Sequence, residues 1–166
     1  NSIRPASEHE KNEVALTTEI QTGNERGRIL VVDDEPINCK ILVSQLSMEN
    51  YLVETAASGS EALEKLRDGE EFDLIILDVM MPEMSGFEIC RLIRSKYSLV
   101  ELPVLMLTVR NRIEDILQAF ENGANDYLSK PFDRKEMLAR VRTLIGMKTA
   151  MEQAVDSELK FLQAQI

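Results

Sequence analysis

The feature that most constrains the fold is a regular alternation of two hydrophobic patterns between residues 28 and 147. Short continuous apolar runs, such as RILVV and FDLIIL, are typical of strands buried on both faces of a parallel sheet. Each run is followed by a segment with apolar residues at helical spacing. Five such units with short connections predict an α/β fold, with a doubly wound, five-stranded parallel sheet in the flavodoxin-like order 2-1-3-4-5.

The segments on either side of this alternation have a different character. Residues 1–27 are polar with few apolar side chains, and we interpret them as a linker. Residues 28–147 form the predicted domain. Residues 148–166 are rich in helix formers and predict a C-terminal helical extension. Because the chain begins with Asn1 rather than Met, we expect it to be a piece of a larger protein.

Apolar residues recur along this extension at spacings of four, four, four, three and four, close to the seam of a coiled coil. They are Met147, Met151, Val155, Leu159, Leu162 and Ile166. Two interpretations stay open. The segment is either a signalling helix that pairs with its copy in a homodimer, or a solvated continuation of the preceding helix.

Composition excludes several classes of function. The net charge of −10 argues against a nucleic-acid-binding surface on this chain. No run of 18 apolar residues is present, so contact with a membrane is expected only through a larger parent protein. Two cysteines without a C-x-x-C pair indicate a reducing, cytoplasmic location.

Polar residues follow the apolar runs at the ends of four predicted strands. Asp33 and Asp34 follow the first strand, Asp78 follows the third, Thr108 ends the fourth and Lys130 follows the fifth. These strands are neighbours in the predicted order, so their carboxyl ends meet where ligands bind in such sheets. Three carboxylates against one ammonium leave excess negative charge. A divalent cation with oxygen ligands balances it, and Mg²⁺ is the predicted cofactor.

With Mg²⁺ present, one carboxylate can act as a nucleophile toward phosphorus. Asp78 is the candidate nucleophile, because it stands alone at the end of the central strand. Asp33 and Asp34 are better placed as a pair to hold the metal. Lys130 would neutralise charge on the transferring phosphoryl group, and Thr108 would hydrogen-bond one of its oxygens.

The segments LVVDDEP, DLIILDVMMPEMSGFE, PVLMLT and GANDYLSKPF together resemble the receiver domain of two-component response regulators. The resemblance implies that Asp78 takes a phosphoryl group from a phosphohistidine on a sensor histidine kinase or a histidine phosphotransfer domain. Such a domain catalyses its own phosphorylation and turns over no external metabolite. Whether the chain is counted as an enzyme depends on its parent, which could be a histidine kinase.

The resemblance also implies a set of metal ligands. Asp34 and Asp78 would provide side-chain oxygens, and the backbone carbonyl of Met80 would be a third ligand. Asp33 would reach the metal largely through water.

The resemblance further implies a conformational switch. Lys130 would pair with the phosphate, and its bond to Pro131 is expected to be cis. Thr108 would move toward the phosphate and Tyr127 would turn inward behind it, which alters the face made by the fourth helix, the fifth strand and the fifth helix.

Three residues are expected to control access to Asp78. Val109 stands where the family usually has a small residue, so it would narrow this access. Met80 and Arg110 would flank the path of the attacking water, and we expect slow autodephosphorylation.

The last nine residues, ELKFLQAQI, resemble the start of the dimerisation segment of sensor histidine kinases of the autolysin-regulator type. This resemblance implies an internal receiver of a hybrid kinase. Otherwise the helix would lead to a cyclase or another dimeric output domain.

Two other functions stay open at this point. A haloacid-dehalogenase-like phosphatase would need a second aspartate two residues after the nucleophile, where this chain has Met80. A pseudo-receiver would keep the fold as a protein-binding module without phosphorylation, and Val109 is the residue that leaves this alternative open.

Overall fold

The computed structural model of the chain describes residues 25–166. Residues 1–24, which make up most of the predicted linker, lie outside the described residues. Five parallel strands form one sheet in the order β2-β1-β3-β4-β5, which confirms the predicted topology. The strands are β1 (Gly27–Val32), β2 (Tyr51–Ala56), β3 (Leu74–Leu77), β4 (Val104–Thr108) and β5 (Asp126–Ser129).

Helices connect the strands and begin at residues suited to helix starts. The helices are α1 (Pro36–Ser47), α2 (Gly59–Arg67), α3 (Gly86–Arg94), α4 (Ile113–Glu121) and α5 (Arg134–Ala164). The hydroxyls of Ser58 and Ser85 accept hydrogen bonds from backbone N–H groups in the first turns of α2 and α3. The carboxylate of Asp133 does the same for α5. These polar caps fix the residues at which α2, α3 and α5 begin.

The sheet is covered on both faces because alternate strand residues point to opposite sides. On one face, side chains such as Leu30 and Ile75 pack against α2, α3 and α4. On the other face, side chains such as Ile29 and Ile76 pack against α1 and α5. The two faces explain why the strands appear as continuous apolar runs rather than as alternating sequences.

Helix α1 buries fewer apolar residues than its sequence pattern predicts. Leu42 and Leu46 are buried against the sheet, whereas Ile37, Ile41 and Met48 are exposed. Residues four apart lie on one face of a helix, and of the two such pairs here only Leu42 and Leu46 face the sheet. The helical spacing of these apolar residues is confirmed, and only part of them contributes to the core.

Helix α5 is one uninterrupted helix of 31 residues that crosses the predicted boundary after residue 147. The Lys148 ammonium donates to the Phe72 carbonyl at 3.1 Å and lies 3.1 Å from an Asp73 carboxylate oxygen. This contact holds α5 near the amino-terminal end of β3, at the opposite end of the sheet from the acidic residues. From residue 150 onward every side chain is exposed, which confirms the helical extension.

Arg94 holds two connecting segments together, the one before β4 and the one before β5. Its guanidinium donates to the Gly123 and Leu102 carbonyls at 2.7 and 2.8 Å and to the Asn125 side-chain oxygen at 2.7 Å. Burial lowers the pKa of this guanidinium. Gly123 has a φ of +97°, and a Cβ there would lie 2.3 Å from Arg94 Cγ. Glycine is thus required at the end of α4 both for its backbone conformation and for space.

None of the helices within residues 25–166 is both long enough and apolar enough to cross a membrane.

Candidate functional site

The structure brings the predicted polar residues together at the carboxyl ends of the central strands. Asp33, Asp34 and Asp78 each place one carboxylate oxygen within 4.8 Å of the other two. The Lys130 ammonium lies 2.9 Å from Asp33 Oδ2 and 3.5 Å from Asp78 Oδ2. These contacts follow from topology, because β1, β3 and β5 each end on this side of the sheet.

The acidic cluster is defined as Asp33, Asp34 and Asp78, of which Asp34 is half-buried and the other two are buried. Asp33 is 3% exposed and Asp78 is 8% exposed. Buried carboxylates are costly unless they are paired, and Lys130 pairs with two of the three. Within residues 25–166, no basic side chain forms an ion pair with Asp34. The cluster therefore offers several oxygens and excess negative charge to a hard divalent cation, which prefers such ligands.

Backbone hydrogen bonds fix the orientation of the Asp78 carboxylate. Its Oδ1 atom accepts a hydrogen bond from the Met80 N–H at 3.1 Å, and its Oδ2 atom is the one that faces Lys130. The Asp78 N–H donates to the Val32 carbonyl at 3.0 Å, which ties it to the neighbouring strand. One oxygen is thus held in place while the other is directed toward the ammonium.

Asp33 is oriented by a similar local hydrogen bond. Its Oδ1 atom accepts a hydrogen bond from the Glu35 N–H at 2.9 Å, which leaves Oδ2 for Lys130. The bond between Lys130 and Pro131 is cis, as the resemblance implied. The Lys130 N–H also donates to the Thr108 carbonyl at 2.8 Å, so the backbone of the β5 end is fixed against β4.

Gly86 allows α3 to begin against the backbone of Asp78. A Cβ at this position would lie 2.2 Å from the Asp78 carbonyl oxygen and 2.8 Å from Val79 Cα. The Gly86 N–H donates to the Val79 carbonyl at 3.0 Å. Only a residue without a side chain permits this approach, so Gly86 contributes to the position of Asp78.

The two predicted switch residues, Thr108 and Tyr127, both contact the backbone of Arg110. Thr108 is fully buried, and its hydroxyl oxygen accepts a hydrogen bond from the Arg110 N–H at 3.4 Å. The Tyr127 hydroxyl donates to the Arg110 carbonyl, and the ring of Tyr127 already occupies an inward, buried position. Burial, and after it the negative charge of Asp115, raises the pKa of Tyr127, so its hydroxyl stays a donor.

The residues expected to control access to Asp78 are at the surface. Met80 is 55% exposed and Val109 is 59% exposed. The Met80 N–H contact with Asp78 places this residue next to the acidic cluster. The roles of its carbonyl as a ligand, and of Val109 and Arg110 in access, stay predictions.

Asp115 is a polar residue of this region that the sequence analysis missed. It is 5% exposed and its Oδ1 atom lies 2.6 Å from an Arg110 guanidinium nitrogen. Its other oxygen accepts a hydrogen bond from the Arg112 N–H at 3.3 Å. An acidic residue at the third helical position of α4 was the available signal, since such residues often bond back to the helix start.

Comparisons of the sequence with known proteins point to one family. The sequence profile of the response regulator receiver domain matches residues 29–142, more than half of the chain. The DNA-binding dual master transcriptional regulator RpaA of Synechocystis sp. is 42% identical over 127 residues, which are 76% of this chain and 52% of that protein. The transcriptional regulatory protein TcrA of Mycobacterium tuberculosis is 44% identical over 117 residues, 70% of this chain and 45% of that protein.

Solved structures show the same likeness. The beryllofluoride-activated DrrB receiver domain has a TM-score of 0.64 and 38% identity, covering 72% of this chain and 97% of that one. The chemotaxis protein CheY4 of Vibrio cholerae has a TM-score of 0.66 and 36% identity, covering 70% of this chain and 97% of that one.

The doubly wound sheet, with acids at the carboxyl ends of β1 and β3 and a lysine at the carboxyl end of β5, defines a class of phosphorelay signalling domains. This chain belongs to the response regulator receiver domain family. Receiver domains of this family act in two-component signalling with histidine kinases. The chain spans about half the length of the curated relatives it matches.

Proposed function

We propose that this chain accepts a phosphoryl group on Asp78 in a reaction that depends on Mg²⁺. The observation that supports the proposal best is the orientation of the Asp78 carboxylate. One oxygen is held by the Met80 N–H, and the other faces Lys130 beside the carboxylates of Asp33 and Asp34. This arrangement combines a fixed nucleophile with nearby positive charge.

Each residue of the site has a separate role in the phosphoryl transfer. Asp78 Oδ2 attacks phosphorus, and the phosphorus–nitrogen bond of the phosphohistidine breaks as the new phosphorus–oxygen bond forms. The ammonium of Lys130 pairs with the phosphoryl oxygens, while Asp33 holds it in position. The Thr108 hydroxyl then donates a hydrogen bond to the phosphoryl group. Asp34, Asp78 and the Met80 carbonyl would hold the Mg²⁺, with Asp33 reaching it through water, and the bound metal would supply charge neutralisation at the phosphoryl oxygens.

The donor in this proposal is the phosphohistidine of a sensor histidine kinase or of a histidine phosphotransfer domain. We expect the chain itself to make no contact with nucleic acid, because its net charge is −10. The relative RpaA is a DNA-binding regulator, but the match covers only about half of that protein. For the parent protein, we propose a hybrid histidine kinase, supported by the nine-residue resemblance at the C-terminus.

The two alternative functions are less well supported by the site. A dehalogenase-like phosphatase lacks its acid–base residue here, since Met80 presents a thioether where a carboxylate is needed. A pseudo-receiver would have lost part of the charged site, whereas here Lys130 lies within ion-pair distance of both Asp33 and Asp78.

The proposal is tested by incubating the chain with acetyl phosphate and following its intact mass. With Mg²⁺ we expect one phosphoryl adduct per chain, and with EDTA in place of Mg²⁺ we expect none. An unmodified mass in the presence of Mg²⁺, or equal modification with and without the metal, would contradict the proposed function.

The exposed apolar stripe of α5 supports a second proposal, that the chain forms a homodimer through this helix. The stripe consists of Met147, Met151, Val155, Leu159, Leu162 and Ile166, all about half exposed or more. Part of it lines a groove of about 360 Å³ with the loop before β4. A second copy presents the same stripe, so a symmetric pairing covers both apolar faces at once. We expect the polar interaction between Lys148 and Asp73 to orient both helices relative to their sheets.

A charge placed in the stripe is expected to weaken this dimer. In the variant Val155→Glu, two like charges would face each other in a desolvated seam, and we expect the dimer dissociation constant to rise at least about tenfold. Sedimentation equilibrium measures the constant. The control is Gln153→Glu, which adds the same charge on the opposite side of the helix. A wild-type chain that sediments as a monomer, or equal constants for both variants, would rule out this interface.

A further inference from the structure

Asp115 is a buried acid that lies outside the acidic cluster and has no part in the proposed phosphoryl transfer. It is 5% exposed, and its nearest cationic partner is the Arg110 guanidinium at 2.6 Å. A carboxylate removed from solvent to this degree depends on such a partner, because an unpaired buried charge is strongly unfavourable. The position of the Arg110 side chain is therefore tied to Asp115.

Arg110 is also the residue at which the two switch residues meet. Its N–H donates to the Thr108 hydroxyl oxygen at 3.4 Å, and its carbonyl accepts the hydrogen bond of the Tyr127 hydroxyl. Its guanidinium lies 5.8 Å from the centre of the Phe87 ring, at the start of α3. A displacement of Arg110 would thus change contacts of both Thr108 and Tyr127.

We propose that Asp115 is a positioning residue for the switch. By holding the guanidinium of Arg110, it keeps the Arg110 carbonyl where the Tyr127 hydroxyl can bond to it, and so it stabilises the inward position of Tyr127. The inference rests on the proposed function, in which the phosphoryl group on Asp78 favours that inward position. Because coupling between two sites is reciprocal, loss of the ion pair weakens the binding of a phosphoryl group or its analogue.

A purely structural role for Asp115 makes a different prediction. Its Oδ2 atom accepts a hydrogen bond from the Arg112 N–H, so the residue also supports the start of α4. Asparagine keeps a side-chain oxygen for this bond but loses the charge that holds Arg110. Replacement of Arg110 by methionine removes the same ion pair from the other side. It keeps Asp115 as the acceptor for the Arg112 N–H, but it leaves that buried carboxylate without its cationic partner.

The test is a titration of the full chain with beryllofluoride in the presence of Mg²⁺. For Asp115→Asn and for Arg110→Met, we expect half-saturation at about threefold to tenfold higher beryllofluoride concentration than for the wild-type chain. The double variant should bind beryllofluoride no more weakly than the weaker-binding single variant, because both changes remove the same interaction. With fluorine-labelled tyrosine at position 127, the fraction of chains whose Tyr127 ring lies inward should be smaller in both single variants than in the wild-type chain. The control is Glu114→Gln, an exposed acid beside Asp115 on α4.

Each alternative result has a definite meaning. Equal half-saturation for the wild-type chain and both single variants would overturn the role of Asp115. An effect of Asp115→Asn without an effect of Arg110→Met would overturn it too, in favour of a role in the start of α4. A wild-type chain that binds no beryllofluoride would overturn the proposed function, and this inference with it, whereas the first two results leave the proposed function intact.

Discussion

The variant Asp78→Asn is expected to form no phosphoryl adduct with acetyl phosphate and Mg²⁺, while the wild-type chain forms one. An amide oxygen is a far weaker nucleophile than a carboxylate. In Asp78 the Met80 N–H fixes one carboxylate oxygen while the other faces Lys130. Intact mass measured over a time course gives the fraction modified. We expect a loss of at least about a thousandfold in rate, as for other activated nucleophiles that are replaced.

Two controls make this result specific. Asp68→Asn removes an exposed carboxylate at the end of α2, and it should leave the adduct unchanged. The melting temperature of Asp78→Asn should be equal to or above that of the wild-type chain, because the substitution removes one of several crowded negative charges. An adduct that persists on Asp78→Asn would show that the nucleophile is elsewhere.

The variant Gly86→Ala is expected to lower the free energy of unfolding by about 2 to 3 kcal/mol, the scale of overpacking in a close-packed interior. The added Cβ would lie 2.2 Å from the Asp78 carbonyl oxygen. This atom belongs to the backbone, so it can give way only if the strand end or α3 moves. Because either movement displaces the nucleophile, we also expect slower phosphorylation. Urea unfolding followed by circular dichroism measures the first effect, and intact mass measures the second.

Gly146→Ala is the matched control for this variant. Gly146 lies within α5, and a Cβ there would have no atom within 4 Å. Alanine is the better helix former, so this variant should be more stable than the wild-type chain by about 0.5 to 1 kcal/mol. If Gly86→Ala and Gly146→Ala had the same stability, the close approach of α3 to Asp78 would not constrain the fold.

The sheet and the acidic cluster could be predicted from sequence for related physical reasons. Strands buried on both faces leave a continuous apolar run, and alternating units of this kind permit few topologies. Once the strand order is set, the residues that follow β1, β3 and β5 must lie near one another. The contact between Lys130 and Asp33, separated by 97 positions along the chain, is a consequence of that order.

Other features depended on tertiary contacts that no local pattern contains. Arg94 appears in the sequence as one more residue of an amphipathic helix, and its hydrogen bonds to distant carbonyls become visible only in the fold. Asp115 looks like an ordinary acid in the first turn of α4, although the fold buries it beside Arg110. In helix α1 the sequence indicates the helix but not which of its apolar residues face the sheet, since Ile37 and Ile41 have the same spacing as the buried pair Leu42 and Leu46.

Because α5 continues without interruption, a small rotation at its base moves its C-terminal end over a larger distance. Residues 149–164 extend about 24 Å beyond the Lys148 contact, at 1.5 Å for each residue. A rotation of about 10° at the base of the helix would displace its C-terminal end by about 4 Å, which approaches the pitch of one helical turn. A rearrangement at the sheet too small to disturb its packing is thereby amplified into a displacement comparable to the diameter of a side chain.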